Sequence, residues 1–378
     1  MPRRQLLAKT LLLLLVLLVL GSGLIVFGCA QTGAVPRGWS GVEVADGALF
    51  LGSMSGNVVA IDSTTQERLW PSDVSFEVKR ESGGFGCARA PEVVAIYGTP
   101  EAGGELVYAA GYNGKVYAIN AQTGALRWVY PREGELEPII GGPAVGAGKV
   151  YIGSSDGRVY ALDAATGDRV WVFATGDKIW STPAVSGDTV YIGSFDKKLY
   201  ALNAADGQKR WEFETEGAIV ATPLIDGDTV YIGSFDRYLY ALSVSDGRLK
   251  WKFQAGNWFW ARPVAADGII YAGSVDGKVY ALRAESGDKV AEFEMGSPVS
   301  SSPVVVGDAV IVATEAGGVY SLDAETKQKK QLAELEEEVY APLAASGGVV
   351  YIHSDKDVLH AVNARSGAIL WSLPLKSE

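Results

Sequence analysis

A fifteen-residue pattern, G-x-V-Y-A-L-D-A-x-T-G-x-x-x-W, recurs along this chain and constrains its fold more than any other feature. Its clearest copy is GRVYALDAATGDRVW, which ends at Trp171. The tyrosine position of the pattern occurs eight times, at spacings of 58, 43 and then five times 40 residues, and is held by Val59, Tyr117, Tyr160, Tyr200, Tyr240, Tyr280, Tyr320 and His360. A fixed period near 40 without a helical pattern predicts an array of small β units.

Each repeat unit contains four strand-like runs separated by turn signals. In residues 180–215 the runs read STPAVS, TVYIGSF, KLYALNA and QKRWEFE. Between them lie residue pairs that are typical of short hairpins, namely Gly187-Asp188, Asp196-Lys197 and Asp206-Gly207. In TVYIG the side chains of Val190 and Ile192 alternate with that of Tyr191, so both strand faces are apolar. Sheets covered on both faces are the packing of propeller blades, and the predicted fold class is therefore an all-β propeller.

The alignment of the repeats predicts eight complete blades over residues 39–378. Residues 39–53 align with residues 180–194, so the first unit begins at its inner strand, and the last unit ends at its outer strand, 369–375. A closed ring also needs no polar capping repeats, which an open solenoid requires. The alignment leaves 21 extra residues in three insertions: nine between Trp70 and Pro91, nine between Pro91 and Tyr108, and three between Trp128 and Pro143.

Residues 1–28 predict export from the cytoplasm. Basic residues precede an apolar run of eighteen residues that ends at Gly28. Cys29 follows Val26, Phe27 and Gly28, and this resembles the lipobox of bacterial lipoproteins, in which the cysteine becomes the lipidated first residue. The alternative is a single transmembrane anchor. In either case residues 29–38 form a short tether, and the predicted location is extracytoplasmic and membrane-anchored, as for a lipoprotein of the cell envelope.

Charge and cysteine content exclude two classes of protein. Outside the leader, 30 basic residues stand against 44 acidic ones. Such an acidic surface repels phosphate backbones, so nucleic acid is not a predicted partner. The only other cysteine is Cys87, which has no disulfide partner if Cys29 is lipidated. A disulfide framework is therefore not expected, and Cys87 is interpreted as a free thiol in a loop.

The repeat resembles that of the pyrroloquinoline-quinone (PQQ)-type β-propeller family over about residues 39–376. In that family the tryptophan of A-x-D-x-x-T-G-x-x-x-W docks between blades and holds the ring together. The resemblance assigns this structural role to Trp70, Trp128, Trp171, Trp211, Trp251 and Trp371. Blades six and seven depart from the pattern, with Ala291 and Gln331 in the tryptophan position and Lys327 in place of the turn glycine. The contacts around these two blades are therefore predicted to be the weakest in the ring.

The family name suggests a quinone-dependent dehydrogenase, but the sequence does not favour one. Those enzymes typically hold PQQ over a channel with a calcium ion, an aspartate base and often a vicinal cysteine pair, and they are much longer. This chain has no Cys-Cys pair and few residues beyond minimal blades. Its acidic loop residues, such as Glu135, Glu137 and Glu336 to Glu338, are interpreted as solvated charge rather than calcium ligands. We therefore expect no catalytic residue, no bound metal and no PQQ or calcium cofactor.

The remaining residues with chemical potential are interpreted as structural. His353 and His360 are the only histidines; His360 holds a tyrosine position of the repeat and His353 a glycine position. Zinc sites need three or four clustered ligands, and no such spacing occurs. A recurring Ser-x-Asp could place a ring of carboxylates, but it falls where a hairpin must turn, and aspartate is a preferred turn residue; its members are Asp156, Asp196, Asp236 and Asp276.

One irregularity of the repeat is a candidate for function. A loop leads into the inner strand of each blade, and one repeat position in it is here called the lead-in position. In blades one to eight this position is held by Trp39, Ala88, Ile140, Trp180, Val220, Trp260, Ser300 and Tyr340. Four of these eight residues are large aromatics, and Trp258 and Phe259 directly precede Trp260. Aromatic side chains at one mouth of a propeller suit recognition of a protein loop, peptide or glycan. The predicted interaction surface consists of Trp39, Trp180, Trp258, Trp260 and Tyr340. The alternative is that these rings plug the channel or pack on the insertions.

Three functions remain open at this level. The length, the leader and the eight blades resemble the BamB-type lipoproteins of the outer-membrane β-barrel assembly machinery, which implies a non-enzymatic scaffold with protein partners. The second hypothesis is an extracytoplasmic propeller that binds a ligand or acts as a sensor. The third, least favoured, is a PQQ-dependent dehydrogenase.

Overall fold

The computed structural model describes residues 38–76 and 94–376, which form eight four-stranded antiparallel sheets. Each sheet is a meander of four strands that follow one another along the chain, and all regular elements of the described residues are strands. The predicted all-β eight-bladed propeller is confirmed.

The predicted leader, the lipidation site Cys29 and the cysteine Cys87 lie outside the described residues. Within residues 38–76 and 94–376, no helix has the length and hydrophobicity needed to cross a membrane.

The strands of the first four blades are β1 (Val42–Ala45), β2 (Ala48–Gly52), β3 (Asn57–Asp62), β4 (Val74–Ser75); β5 (Glu101–Gly103), β6 (Leu106–Ala110), β7 (Val116–Asn120), β8 (Leu126–Tyr130); β9 (Ala144–Gly146), β10 (Lys149–Gly153), β11 (Arg158–Asp163), β12 (Arg169–Ala174); β13 (Ala184–Ser186), β14 (Thr189–Gly193), β15 (Lys198–Asn203) and β16 (Lys209–Glu214). Those of the last four are β17 (Leu224–Asp226), β18 (Thr229–Gly233), β19 (Tyr238–Ser243), β20 (Leu249–Gln254); β21 (Val264–Ala266), β22 (Ile269–Ser274), β23 (Lys278–Arg283), β24 (Lys289–Glu294); β25 (Val304–Val306), β26 (Ala309–Ala313), β27 (Gly318–Asp323), β28 (Gln328–Glu334); β29 (Ala344–Ser346), β30 (Val349–His353), β31 (Val358–Asn363) and β32 (Ile369–Pro374).

The aspartate of the repeated Ser-x-Asp holds the turn between the two middle strands. In blade four, Asp196 Oδ1 accepts a hydrogen bond from the Lys198 N–H at 3.0 Å, while Asp196 Oδ2 accepts one from the Tyr200 hydroxyl at 2.6 Å. The tyrosine–aspartate pair recurs at 2.5–2.7 Å in blades three, five and six. The carboxylates are therefore engaged in turn and strand contacts.

The core is divided into eight hydrophobic clusters, one in each seam between neighbouring blades. Val190 and Ile192 of β14 pack towards blade three, whereas Tyr191 of the same strand packs towards blade five. All three side chains are fully buried. The apolar residues on both faces of the middle strands thus bury each sheet between its two neighbours.

The ring closes between blade eight and blade one without exchange of a strand. Val42, Leu49 and Leu51 of blade one share a cluster with Tyr351 and Leu359 of blade eight. Polar contacts join the same two blades: the Met54 N–H donates to Asp357 Oδ1 at 2.9 Å, and Arg68 Nη2 donates to the Leu375 carbonyl at 2.7 Å. His353 lies buried in this seam, with Nδ1 2.8 Å from the Ser40 carbonyl and Nε2 3.1 Å from Asp357 Oδ1.

The structure corrects the predicted division of the longest insertion. β5 begins at Glu101, directly after Pro100, so all extra residues between Trp70 and Tyr108 precede Pro100. The sequence alignment predicts Ala88 at the lead-in position of blade two, and Ala88 lies outside the described residues. Tyr97 lies at this position instead, because the run IYGTP at 96–100 matches IWSTP at 179–183.

Five of the six predicted tryptophans dock between blades in one geometry. Their rings are 4–9% exposed, and each indole N–H donates to a backbone carbonyl of the following blade at 2.9–3.1 Å. Each ring covers the turn glycine of that blade, where a Cβ atom would lie 2.6–2.8 Å from the indole. The docked residues are Trp70, Trp128, Trp171, Trp211 and Trp251.

The sixth tryptophan, Trp371, is only half-buried. It points from blade eight towards blade one, where Gln66 with a φ of 63° replaces the turn glycine. A side chain at this turn position prevents the close approach that the glycines allow to the other rings.

The departures in blades six and seven are structurally linked. Blade six has Ala291 in place of the tryptophan, so no indole covers the turn of blade seven, and Lys327 with a φ of 56° fits there without a glycine. In blade seven the β-bulge is displaced: Lys330, not Gln331, pairs with Ser321, as Trp171 pairs with Ala161 in blade three. The predicted assignment of Gln331 to the tryptophan position is therefore wrong, and Lys330 takes that place.

Candidate functional site

The lead-in residues of all eight blades converge at one end of the central channel. They line a cavity of about 90 Å³, which includes Trp39, Tyr97, Ile140, Trp180, Val220, Trp260, Ser300 and Tyr340. The loops are held in place from neighbouring hairpins: the Ile179 N–H, for example, donates to the Ser154 carbonyl of the preceding blade at 3.1 Å. This end of the channel, here called the mouth, is the candidate functional site.

One aromatic cluster of the mouth extends over blades four to six. Phe235 stacks on Trp258 with ring centroids 4.7 Å apart and on Trp260 at 5.6 Å. Trp180 meets Phe195 edge-on at 4.6 Å, and Phe195 lies 6.3 Å from Phe235, which makes the cluster continuous. The Lys178 ammonium lies 4.6 Å from the Trp180 ring and 4.4 Å from the Phe195 ring.

A second aromatic cluster faces the first one across the cavity, on blades eight, one and two. Trp39 contacts Tyr97 at 4.7 Å and Tyr340 at 5.8 Å, and Tyr97 contacts Tyr112 at 5.8 Å. Trp258 and Tyr112, at the outer ends of the two clusters, are 44% and 43% exposed. The five predicted surface residues thus all lie at the mouth, although no single cluster contains all of them.

Sequence reasoning missed four aromatic residues of the mouth. Phe195, Phe235 and Tyr112 share one repeat position, in the turn between the second and third strands of a blade. The other blades carry Met54, Ser155, Val275, Glu315 or Asp355 at this position. Tyr97 was missed because blade two was aligned on Pro91. A search for any variable repeat position rich in aromatics would have found the first three.

Acidic residues border the mouth at blades seven and eight. The Tyr340 hydroxyl donates to Glu338 Oε2 at 2.7 Å, and this hydrogen bond raises the pKa of Tyr340 to about 12. Glu337 lies beside His360, whose Nε2 is 3.0 Å from Glu337 Oε2. Burial acts to raise the pKa of Glu337, but hydrogen bonds from Ser354 and His360 bring it below its usual value. The His360 side chain of β31 is thus held in a polar contact with the loop that follows β28.

A small group of charges and hydroxyls lies in the channel. Arg262 lines the cavity, exposed to channel water, yet the surrounding protein lowers its pKa by desolvation. Burial, followed by the neighbouring Glu43, raises the pKa of Glu101 to about 7, while Arg262 acts to lower it. The buried Ser300 hydroxyl has no hydrogen-bond partner among the described residues. The cavity therefore offers one cationic side chain, Arg262, to a ligand.

The channel residues do not fit PQQ or a metal. PQQ is a rigid tricyclic tricarboxylate, whereas the cavity of about 90 Å³ presents one cationic side chain, Arg262, with two carboxyl groups nearby. Small-molecule sites usually enclose about 300–1,000 Å³. In the described parts of the chain, no group of three histidine, cysteine, aspartate or glutamate residues could hold a metal ion.

Similarity to known proteins agrees with this fold. A family model described as "Beta-alanine-activating enzyme, beta-propeller" matches residues 143–378, and one described as "Outer membrane protein assembly factor BamB" matches residues 30–175. No curated protein sequence matches the chain. The crystal structure of BamB from Moraxella catarrhalis superimposes with a TM-score of 0.69 at 20% identity, over 84% of this chain and 93% of that one. The computationally designed Ika8 protein gives 0.68 at 16% identity, over 90% and 96%.

Blade count, repeat and docked tryptophans define the class as a PQQ-like, BamB-like β-propeller. The chain belongs to the family of β-propellers that the first model describes, since that model matches more than half of its length. At identities of 20% and 16%, the two solved structures establish a shared fold and no more.

Proposed function

We propose that this protein is a non-enzymatic scaffold that binds a protein partner through the aromatic mouth of its propeller. The observation that carries the proposal is the pair of facing aromatic clusters, of which Trp258 and Tyr112 are well exposed. Aromatic residues dominate the binding energy of protein interfaces because they bury a large area with few rotatable bonds. A cavity of only about 90 Å³ between the clusters favours surface contact over enclosure of a large ligand.

We place this scaffold outside the cytoplasm, anchored to a membrane through Cys29 or the apolar leader. The lipobox-like pattern supports this location, and the match to the BamB family model supports a role in outer-membrane assembly. The other family model describes the propeller of a β-alanine-activating enzyme. The only histidines of this chain serve blade contacts rather than an open site, which supports a non-enzymatic role.

A pull-down from envelope extracts tests the mouth. The full-length chain is compared with a Trp180→Ala/Trp260→Ala variant and with a matched control, Leu126→Ala/Leu249→Ala, which removes two exposed apolar side chains from outer strands. The proposal predicts a defined partner that the wild type and the control recover and the mouth variant loses. Recovery of the same partner in equal amounts by all three proteins would refute the proposal.

A second candidate function is ligand sensing, favoured by the Arg262 guanidinium in the channel. The ligand would be a small carboxylate, with its anion at the Arg262 guanidinium and an apolar group between the aromatic clusters. Calorimetric titration of the wild type and an Arg262→Met variant with benzoate tests this candidate. Saturable heat that depends on Arg262 supports it, and absence of binding to the wild type rejects it.

A further inference from the structure

The seam between blades seven and eight lacks both the docking tryptophan and the aromatic residue of the second strand, whereas the seam between blades six and seven lacks only the tryptophan and keeps Tyr271. In blade three, Trp171 and Tyr151 both point at blade four, where the Ala204 carbonyl accepts the indole N–H and the tyrosine hydroxyl, each at 3.1 Å. In blade seven, Lys330 takes the place of the tryptophan and Ile311 that of the tyrosine. The carbonyl equivalent to that of Ala204 belongs to Ala364.

An open groove of about 770 Å³ runs along this seam. Val306, Leu332 and Ala364 form its apolar part, and Asp308, Lys330 and Arg365 are among its polar residues. The mixed signs of these charges give the groove no strong preference for an anionic or cationic ligand. Its volume suits a side chain of aromatic size together with the backbone that carries it.

The chain fills this seam only in part. The Leu332 carbonyl oxygen contacts Gly367, and a Cβ atom at Gly367 would lie 2.1 Å from this oxygen. The carbonyl thus occupies the place that the Trp171 indole takes on Gly207. Lys330 Nζ donates to the Arg365 carbonyl at 3.0 Å, one residue beyond Ala364. Lys330 is an exposed side chain, so its movement out of the groove breaks one solvent-accessible hydrogen bond.

We propose that this groove binds a tryptophan side chain from an extended segment of a partner polypeptide. The indole packs on Val306 and Leu332, and its N–H donates to the Ala364 carbonyl, which is equivalent to the acceptor of the chain's own tryptophans in five other seams. The groove is lined by the turns that contain Gly307 and Gly348, at the strand ends opposite the mouth. Binding there is therefore independent of the aromatic mouth.

The test uses N-acetyl-L-tryptophanamide as the probe and the full-length chain, with binding followed by NMR saturation transfer. Saturable binding in the millimolar range is expected for so small a ligand. Lys330→Trp fills the groove from within and should weaken binding by about tenfold or more. Val170→Trp is the matched control, because it adds an indole to an exposed outer-strand position of blade three, whose tryptophan position is already occupied.

Two measurements protect the test against misfolding of Lys330→Trp. Lys330→Ala opens the groove and should bind the probe at least as tightly as the wild type. In the wild type itself, the probe should shift the methyl resonances of Ala309 and Ala364, both at the groove, and leave that of Ala161 unchanged. The proposal is overturned if the wild type shows no saturable binding, if Lys330→Trp and Val170→Trp bind equally well, or if the Ala364 methyl does not respond.

Discussion

Truncation of a docked tryptophan gives the sharpest test of how the ring is held together. Trp211 is 9% exposed, lies on Gly247 and donates to the Val244 carbonyl at 2.9 Å. Trp211→Ala removes this packing and leaves a cavity in a closely packed seam, so the expected cost is about 3–5 kcal/mol. For a propeller of this size that loss lowers the melting temperature by roughly 4–7 °C.

Trp371 provides the internal comparison for this prediction. It is half-buried beside Gln66, which denies it the flat glycine surface that Trp211 has. Trp371→Ala should therefore cost only about 1–2 kcal/mol. Both variants are unfolded by heat and by denaturant beside the wild type. An unchanged melting temperature for Trp211→Ala, or equal losses for the two variants, would refute the account of tryptophan docking.

Three further predictions concern turns, pH and cofactor. Gly207→Ala should destabilise the protein by about 1–3 kcal/mol, because the φ of Gly207 is 74° and the new Cβ would lie 2.7 Å from the Trp171 ring. Lys327→Ala, at the equivalent turn position that no indole covers, should change stability by less than about 0.5 kcal/mol in the same denaturation assay. The pKa of Glu101 is raised from 4.5 to about 7, so the folded state loses stability as pH rises between these values. Glu101→Gln should therefore melt at a higher temperature than the wild type at pH 8 and at the same temperature at pH 4. A constant difference in melting temperature across this range would contradict the assignment. Titration with PQQ and calcium should produce neither an absorbance change nor dye-linked alcohol oxidation; turnover would reverse the non-enzymatic interpretation.

Most of the fold could be predicted from the sequence because each repeat carries the turn residues and the spacing that determine its strands. The turn residues around Asp196 and Gly207 fix the hairpins, and the period of 40 fixes the blade count. The docking of Trp211 follows from a glycine 36 residues later in the next unit, and the structure shows why: the glycine leaves room for the ring. Where the tryptophan is absent, as at Ala291, the next turn no longer needs glycine.

The errors fall where the repeat pattern is absent. Pro91 and Pro100 both precede runs that resemble an inner strand, and only pairing of β5 with β6 distinguishes them. In β28 the run QKKQL has no tryptophan to fix the bulge, so backbone pairing sets the register and brings Lys330 into the seam. The mouth was only partly predictable because Phe235 and Trp260 come from different repeat positions and meet where the lead-in loop of blade six packs on the turn of blade five.

Site-specific cross-linking tests the central claim most directly. A photoreactive phenylalanine analogue is placed at Trp258, the most exposed ring of its cluster, and separately at Leu249, an equally exposed position on an outer strand. After illumination of cells that express the full-length chain, the account predicts a discrete adduct with one protein from position 258, and its loss when Trp180 and Trp260 are also replaced by alanine. No adduct at position 258, or the same adduct from position 249, would contradict the claim that the aromatic mouth is a protein-binding surface.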